Sequence, residues 1–90
     1  MSDVVHKAAL NRYEMQTEHG TAIVEYRVQG DSRIFTHTEV PAADEGKGLG
    51  ARIVKTALDD TRASGMKIVP ACSFVVAYVR RHPEYSAMSD

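Results

Sequence analysis

Leu10, Arg12, Glu14 and Gln16 alternate with Asn11, Tyr13, Met15 and Thr17, a period of two that predicts a strand over residues 10–17. His19 and Gly20 supply a turn. Ala22, Val24, Tyr26 and Val28 then alternate with Ile23, Glu25 and Arg27 as far as the turn formers Gly30, Asp31 and Ser32. A third run, 33–40, puts Ile34, Thr36, Thr38 and Val40 on one face and Phe35, His37 and Glu39 on the other, until Pro41 removes an amide donor. Three strands joined by short turns make an antiparallel meander, one face of which needs covering by helices.

After a polar bend at 42–45 the period changes. Leu49, Ile53, Val54, Ala57, Leu58 and Thr61 recur at helical spacing and predict a helix over about 48–64, which Ser64 and Gly65 can close. Residues 66–70 read as a short apolar strand, and the strand, helix, strand order implies a crossover that sets it parallel to the third strand. A second helix, 74–82, takes Ser73 as its N-cap, carries Phe74, Val75, Tyr78 and Val79 as its apolar stripe and stops at Pro83. The fold class is therefore α+β with an α/β-like crossover, in a single domain spanning 1–90. Only the first few and last few residues are expected to fray.

Composition narrows the class. Val, Ile, Leu and Phe make up 19 of 90 residues, near the level where disorder begins, but a net charge of −1 lacks the self-repulsion that disorder needs. No apolar run approaches 18 residues and the first ten residues hold no apolar h-region, so neither a membrane span nor a signal peptide is expected. Cys72 is the only cysteine, which excludes an internal disulfide and suits a reducing compartment, the cytoplasm by default. Residues 1–45 carry four Lys/Arg against eight Asp/Glu, and residues 46–90 seven against four. The basic second half suits a small anionic ligand, or is the solvated face of a helix. Nucleic acid is not expected, because the pI is 6.4 and no basic run is interleaved with aromatics. The four histidines are scattered and no second cysteine exists, so no metal site is expected.

The strongest chemical signal is Gly46-Lys47-Gly48-Leu49-Gly50, between a strand end and a helix start. Glycines there let a ligand approach the backbone while the first helical amides stay free to donate, which makes an anion cradle. Lys47 adds a charge beside it. The alternative is a plain turn at Gly46 with close helix packing at Gly50. The segment is neither a Walker A loop nor G-x-G-x-x-G.

Together with His37-Thr38-Glu39-Val40-Pro41 before it, and Pro70-Ala71-Cys72-Ser73-Phe74-Val75, Tyr78 and His82-Pro83-Glu84-Tyr85 after it, this segment resembles the GCN5-related N-acetyltransferases, in particular their smallest single-domain members. The resemblance implies an enzyme that binds acetyl-coenzyme A and acetylates an amine on a small molecule, peptide or protein. It implies that Gly46, Lys47, Gly48, Leu49, Gly50 and Ala51 wrap the pyrophosphate and that Glu39 and Val40 pair with the pantetheine arm. The family pattern begins with Gln or Arg where this chain has Glu45. Larger relatives insert helices between the first two strands, whereas here only a turn around Glu18 stands there, so an open acceptor site is expected.

Four residues are candidates for the chemistry. Cys72, just before the second helix, is either a thiol that accepts the acetyl group or orients the acceptor, or a small buried apolar residue. His37 and Glu39 share one strand face and are either the base for the amine or a solvated polar pair. Tyr78 either protonates the departing thiolate, as the resemblance implies, or packs in the core. His82 reads as a C-terminal cap. The alternative to an enzyme is a non-catalytic module that keeps the fold, binds the coenzyme or presents its open sheet to a protein.

Overall fold

The protein is described by a computed structural model covering residues 3–88. Five strands form one sheet in the order β1-β2-β3-β4-β5: β1 Val4–Lys7, β2 Arg12–Thr17, β3 Gly20–Gln29, β4 Ser32–Glu39 and β5 Lys67–Pro70. Strands β1 to β4 are antiparallel, and β5 runs parallel to β4 from Ser32↔Lys67 to Phe35↔Pro70. The crossover between them is helix α1, Leu49–Ala63, and helix α2, Ser73–Arg81, follows β5. The resulting α+β arrangement is the one expected from the pattern.

One face of the sheet carries the core. Tyr13 and Met15 of β2, Ala22, Val24 and Tyr26 of β3, Phe35 of β4 and Ile68 of β5 meet Ile53, Val54, Ala57 and Leu58 of α1 and Val75, Tyr78 and Val79 of α2. These positions lie on the phases that the periods of two and 3.6 select, although Val28, on the same phase of β3, lies beyond the helices and is half exposed. Among the described residues no helix is long and apolar enough to cross a membrane.

Both ends of the described chain carry elements that the pattern does not show. Residues 4–7 form edge strand β1, paired to β2 from Val4↔Met15 to Lys7↔Arg12, with the His6 ring stacked 4.2 Å from that of Tyr13. Residues 8–10 form a 3-10 turn ended by Asn11 in the left-handed conformation, so β2 begins at Arg12 and not at Leu10. At the other end Pro83–Met88 coils into a 3-10 helix that buries Tyr85, whose hydroxyl donates to Asp59 Oδ1 at 2.6 Å. The fraying expected of residues 1–2 and 89–90 lies outside the described residues.

Strand β4 contains a second departure. Neighbours Glu25 and Tyr26 of β3 pair with His37 and Phe35, leaving Thr36 as an extra residue. One inserted residue reverses the alternation beyond it. Phe35 is buried, and on the far side of the bulge Thr38 and Val40 turn toward the helices while His37 and Glu39 face solvent. The uninterrupted alternation expected over 33–40 is therefore corrected: Phe35 shares its face with Thr38 and Val40, not with His37 and Glu39.

At the opposite end of β2 and β4 a cation is buried. Arg33 Nη1 donates to Tyr13 Oη at 2.7 Å and Thr61 Oγ1 at 3.1 Å and lies 3.4 Å from Asp60 Oδ2, while its Nε, also buried, makes no hydrogen bond. Tyr13 donates to the same Asp60 oxygen, and this bond joins sheet to helix. Burial and that acceptor push the Tyr13 phenol well above its ordinary range.

Candidate functional site

Beyond Phe35, β4 continues as far as Glu39 while β5 has ended at Pro70. The amides of Ala71 and Cys72 both donate to the Phe35 carbonyl at 3.0 Å, and the chain then turns away into α2. Residues 37–39 consequently have β3 on one side and no strand on the other. A strand edge left open in this way presents peptide groups to any extended, amide-bearing ligand.

A cavity of about 360 Å³ opens at this edge, lined by Thr38, Val40, Asp44, Glu45, Gly46, Gly48, Leu49, Gly50, Ala51 and Phe74. Its floor is the start of α1. Gly46 and Gly48 adopt φ of 87° and 76°, a region that side chains disfavour, and Gly48 caps the helix without any side-chain hydrogen bond. The first helical bond runs from Arg52 N–H to the Gly48 carbonyl at 3.2 Å, so the amides of Leu49, Gly50 and Ala51 precede the ladder. Such amides favour an anion by roughly 0.3–1 kcal/mol through the helix dipole alone. A Cβ built on Gly50 would lie 2.6 Å from Phe74 Cζ, so the glycine is what lets that ring wall the cavity.

Six of the eight residues expected to hold the coenzyme line the cavity: Val40, Gly46, Gly48, Leu49, Gly50 and Ala51. Glu39 and Lys47 do not. Glu39 is turned outward by the bulge, and the Lys47 ammonium is drawn away to Asp44 Oδ1 at 2.9 Å and Glu18 Oε1 at 3.0 Å. The charge expected beside the anion site is thus held in ion pairs, which raise the Lys47 pKa. Glu45 remains in the lining.

The four candidates for chemistry are not gathered at one point. Cys72 stands at the splay, half-buried, its Sγ 3.4 Å from the hydroxyl of the cavity residue Thr38. It is itself the N-cap of α2, a place expected for Ser73, which is the first helical residue. His37 Nε2 lies 3.1 Å from Glu39 Oε1, with 52% and 64% of their side chains exposed on the sheet face away from the helices. Tyr78 is buried, stacked 4.1 Å from the His82 ring and packed against Tyr85, and is absent from the cavity lining. Burial raises its phenol pKa. His82 Nδ1 bonds the Tyr78 carbonyl at 2.9 Å, as a C-terminal cap does.

Three residues of the site carry no signal in the pattern. Phe74 belongs by period to the core stripe but walls the cavity, and Thr38 reaches it only because of the bulge. Asp44 is fully buried and accepts from Thr17 Oγ1, His19 N, His19 Nδ1 and Lys47 Nζ at 2.7–3.0 Å. Those bonds, His19 first, then Lys47 and Thr17, hold its carboxyl far below the ordinary range. Glu18, His19 and Asp44 bring donor atoms within 4.8 Å of one another, a cluster the scattered histidines did not announce, and the Lys47 ammonium bridges its two carboxylates.

Comparison with known proteins adds sequence and fold relatives. The profile of the GCN5-related N-acetyl-transferase family matches residues 12–88. Protein NATD1 of Homo sapiens is 32% identical over 66 residues, 72% of this chain and 58% of that protein. Its counterpart in Xenopus tropicalis is 30% identical over the same share of this chain and 61% of its own length. The chain thus spans about three fifths of the curated relatives it matches. The solution structure of a GCN5-like protein from Staphylococcus aureus shares the fold at a TM-score of 0.70 and 21% identity, over 100% of this chain and 91% of that one.

Proposed function

This chain belongs to the GCN5-related N-acetyltransferase family, and from that premise we propose that it binds acetyl-coenzyme A in the cavity at the start of α1 and acetylates an amine. The carrying observation is the coincidence, in one place, of free helical amides, two glycines with positive φ and an unpaired strand edge. The residues present fit the group: a pyrophosphate suits the amides of 49–51, and a pantetheine arm suits the open edge of 37–39. When bound, the coenzyme supplies an acyl carbon activated as a thioester.

The chain's own residues divide the remaining work between the two faces of the sheet. On the outer face His37 and Glu39 take up the proton that an attacking amine must lose. On the helix side Cys72 and Thr38 offer a polar contact at the mouth of the splay that positions the thioester. Phe74 and Leu49 keep water from the cavity wall. Tyr78, buried away from the cavity, holds α2 against α1. The placement of His37 and Glu39 outside the cavity also favours a second reading, a module that binds the coenzyme without turnover.

Thiol release from acetyl-coenzyme A, followed with a panel of small amines and lysine peptides, separates the two. Turnover with at least one amine, lost in His37→Ala or Cys72→Ala with donor affinity retained, is the expected result. Donor binding with no thiol release from any amine supports the module instead.

A further inference from the structure

We propose that Asp44 is the positioning residue of the donor loop, its buried carboxylate setting the path of residues 45–48 by tying Lys47 and the β2–β3 turn to one point. The inference rests on reading that loop as the acetyl-coenzyme A site.

A buried carboxylate persists only where donors replace its lost water. Asp44 has four: Thr17 Oγ1 at 2.7 Å and His19 N at 3.0 Å on Oδ2, His19 Nδ1 at 2.8 Å and Lys47 Nζ at 2.9 Å on Oδ1. A carboxylate can only accept, so the imidazole presents its Nδ1–H. Three segments converge on this one group: the end of β2, the turn after it, and the loop itself. Only Glu45 and Gly46 separate Asp44 from Lys47, so the ion pair closes a short span around a glycine held at φ 87°.

The tie matters because this loop is built on glycines. Gly46 and Gly48 have the widest conformational freedom of any residue type, and the helix they lead into has no side-chain cap. An anion cradle of backbone amides works only if those amides already point together. Asp44 supplies the order, and Lys47, a cation of the loop itself, acts through Asp44 and not on the ligand. Glu18 draws the same ammonium from the turn side, so the β2–β3 turn and the loop move as one unit.

An opposite role predicts the opposite sign. If Asp44 merely neutralised Lys47, the Asp44→Asn variant would leave that cation only its exposed pair with Glu18, and binding of an anion would tighten.

The test measures the acetyl-coenzyme A dissociation constant, the melting temperature and the ¹⁵N relaxation of Gly46 and Gly48 in the wild type and in Asp44→Asn, Lys47→Gln and Tyr85→Phe. Asp44→Asn should bind at least tenfold more weakly and Lys47→Gln several-fold more weakly, with both glycine amides more mobile. Tyr85→Phe, remote from the loop, should melt lower with affinity unchanged. Affinity of Asp44→Asn within twofold of wild type, or tighter, overturns the proposal whatever its melting temperature. Should Asp44→Asn not fold, Lys47→Gln decides alone, and unchanged affinity overturns the proposal. If the wild type binds no acetyl-coenzyme A, the donor reading fails by itself. Relaxation then judges positioning: glycine amides equally ordered in wild type and Lys47→Gln overturn it.

Discussion

Two charges are buried at opposite ends of the same strands, and they do different work. Arg33, beside Tyr13 at one end, is held by residues of β2 and α1 that the core already fixes. Asp44, beside Thr17 at the other end, ties a turn to a glycine loop. The first network joins regular elements to each other. The second gives an irregular segment a single shape next to a cavity. Changes at the Arg33 end should therefore register in stability, and at the Asp44 end in ligand affinity.

The largest effect expected is at the Arg33 end. Tyr13→Ala deletes one of the largest fully buried side chains and should cost about 3–5 kcal/mol in chemical denaturation, with the affinity of the remaining folded protein for acetyl-coenzyme A unchanged. Next is a substitution with the reverse profile. Gly50→Ala drives a methyl into the Phe74 ring, which is exposed enough to swing aside, so the melting temperature should barely move. The displaced cavity wall should weaken donor binding about tenfold, or about 1.4 kcal/mol, by calorimetry. Tyr85→Phe removes one hydrogen bond to Asp59 and should cost about 1 kcal/mol of stability with no change in affinity.

The smallest effect separates the ends by pH. Burial, and then Arg33, hold the His6 pKa below its ordinary 6.5, against the opposing pull of Asp60. Its neutral form is favoured in the folded state, so the stability it lends is complete above pH 6.5 and is lost as the pH falls from there through the lowered value. The Asp44 carboxyl, depressed from 3.8, lends stability that persists until the pH drops below about 3.8. Amide protection of Val5 and Lys7 should thus decline between pH 6.5 and 4 while relaxation of Gly46 and Gly48 stays constant. Parallel loss at both ends over that interval would contradict the division.

The same division governs what could be read from the sequence. Strands β2 to β4 and both helices were legible because each buries a periodic face, and an alternation kept up over six or more residues is a local signal, whereas β5 was legible as a short apolar run following a helix. The four residues of β1 are too short to show one, and they are held by pairing with β2 and the stacking of His6 on Tyr13, which are tertiary facts. The bulge at Thr36 was hidden for a related reason: Ile34 to Val40 alternates without a break, and only the register against Glu25 and Tyr26 reveals the extra residue. That one residue moved His37 and Glu39 to the outer face and Thr38 to the inner. The glycines at 46, 48 and 50 announced themselves by type and spacing. Asp44 did not, because its partners Thr17 and His19 lie 27 and 25 residues away and join it only when the β2–β3 turn meets the loop.

The most direct test of the account is a calorimetric titration of the protein with acetyl-coenzyme A, set beside a Gly48→Glu variant that places a carboxylate and a disfavoured φ in the cradle. The account predicts a dissociation constant at or below about 100 μM, about −5.5 kcal/mol, for the wild type. Binding should be lost in the variant. Absence of binding by folded wild-type protein, or equal binding by both, would contradict it.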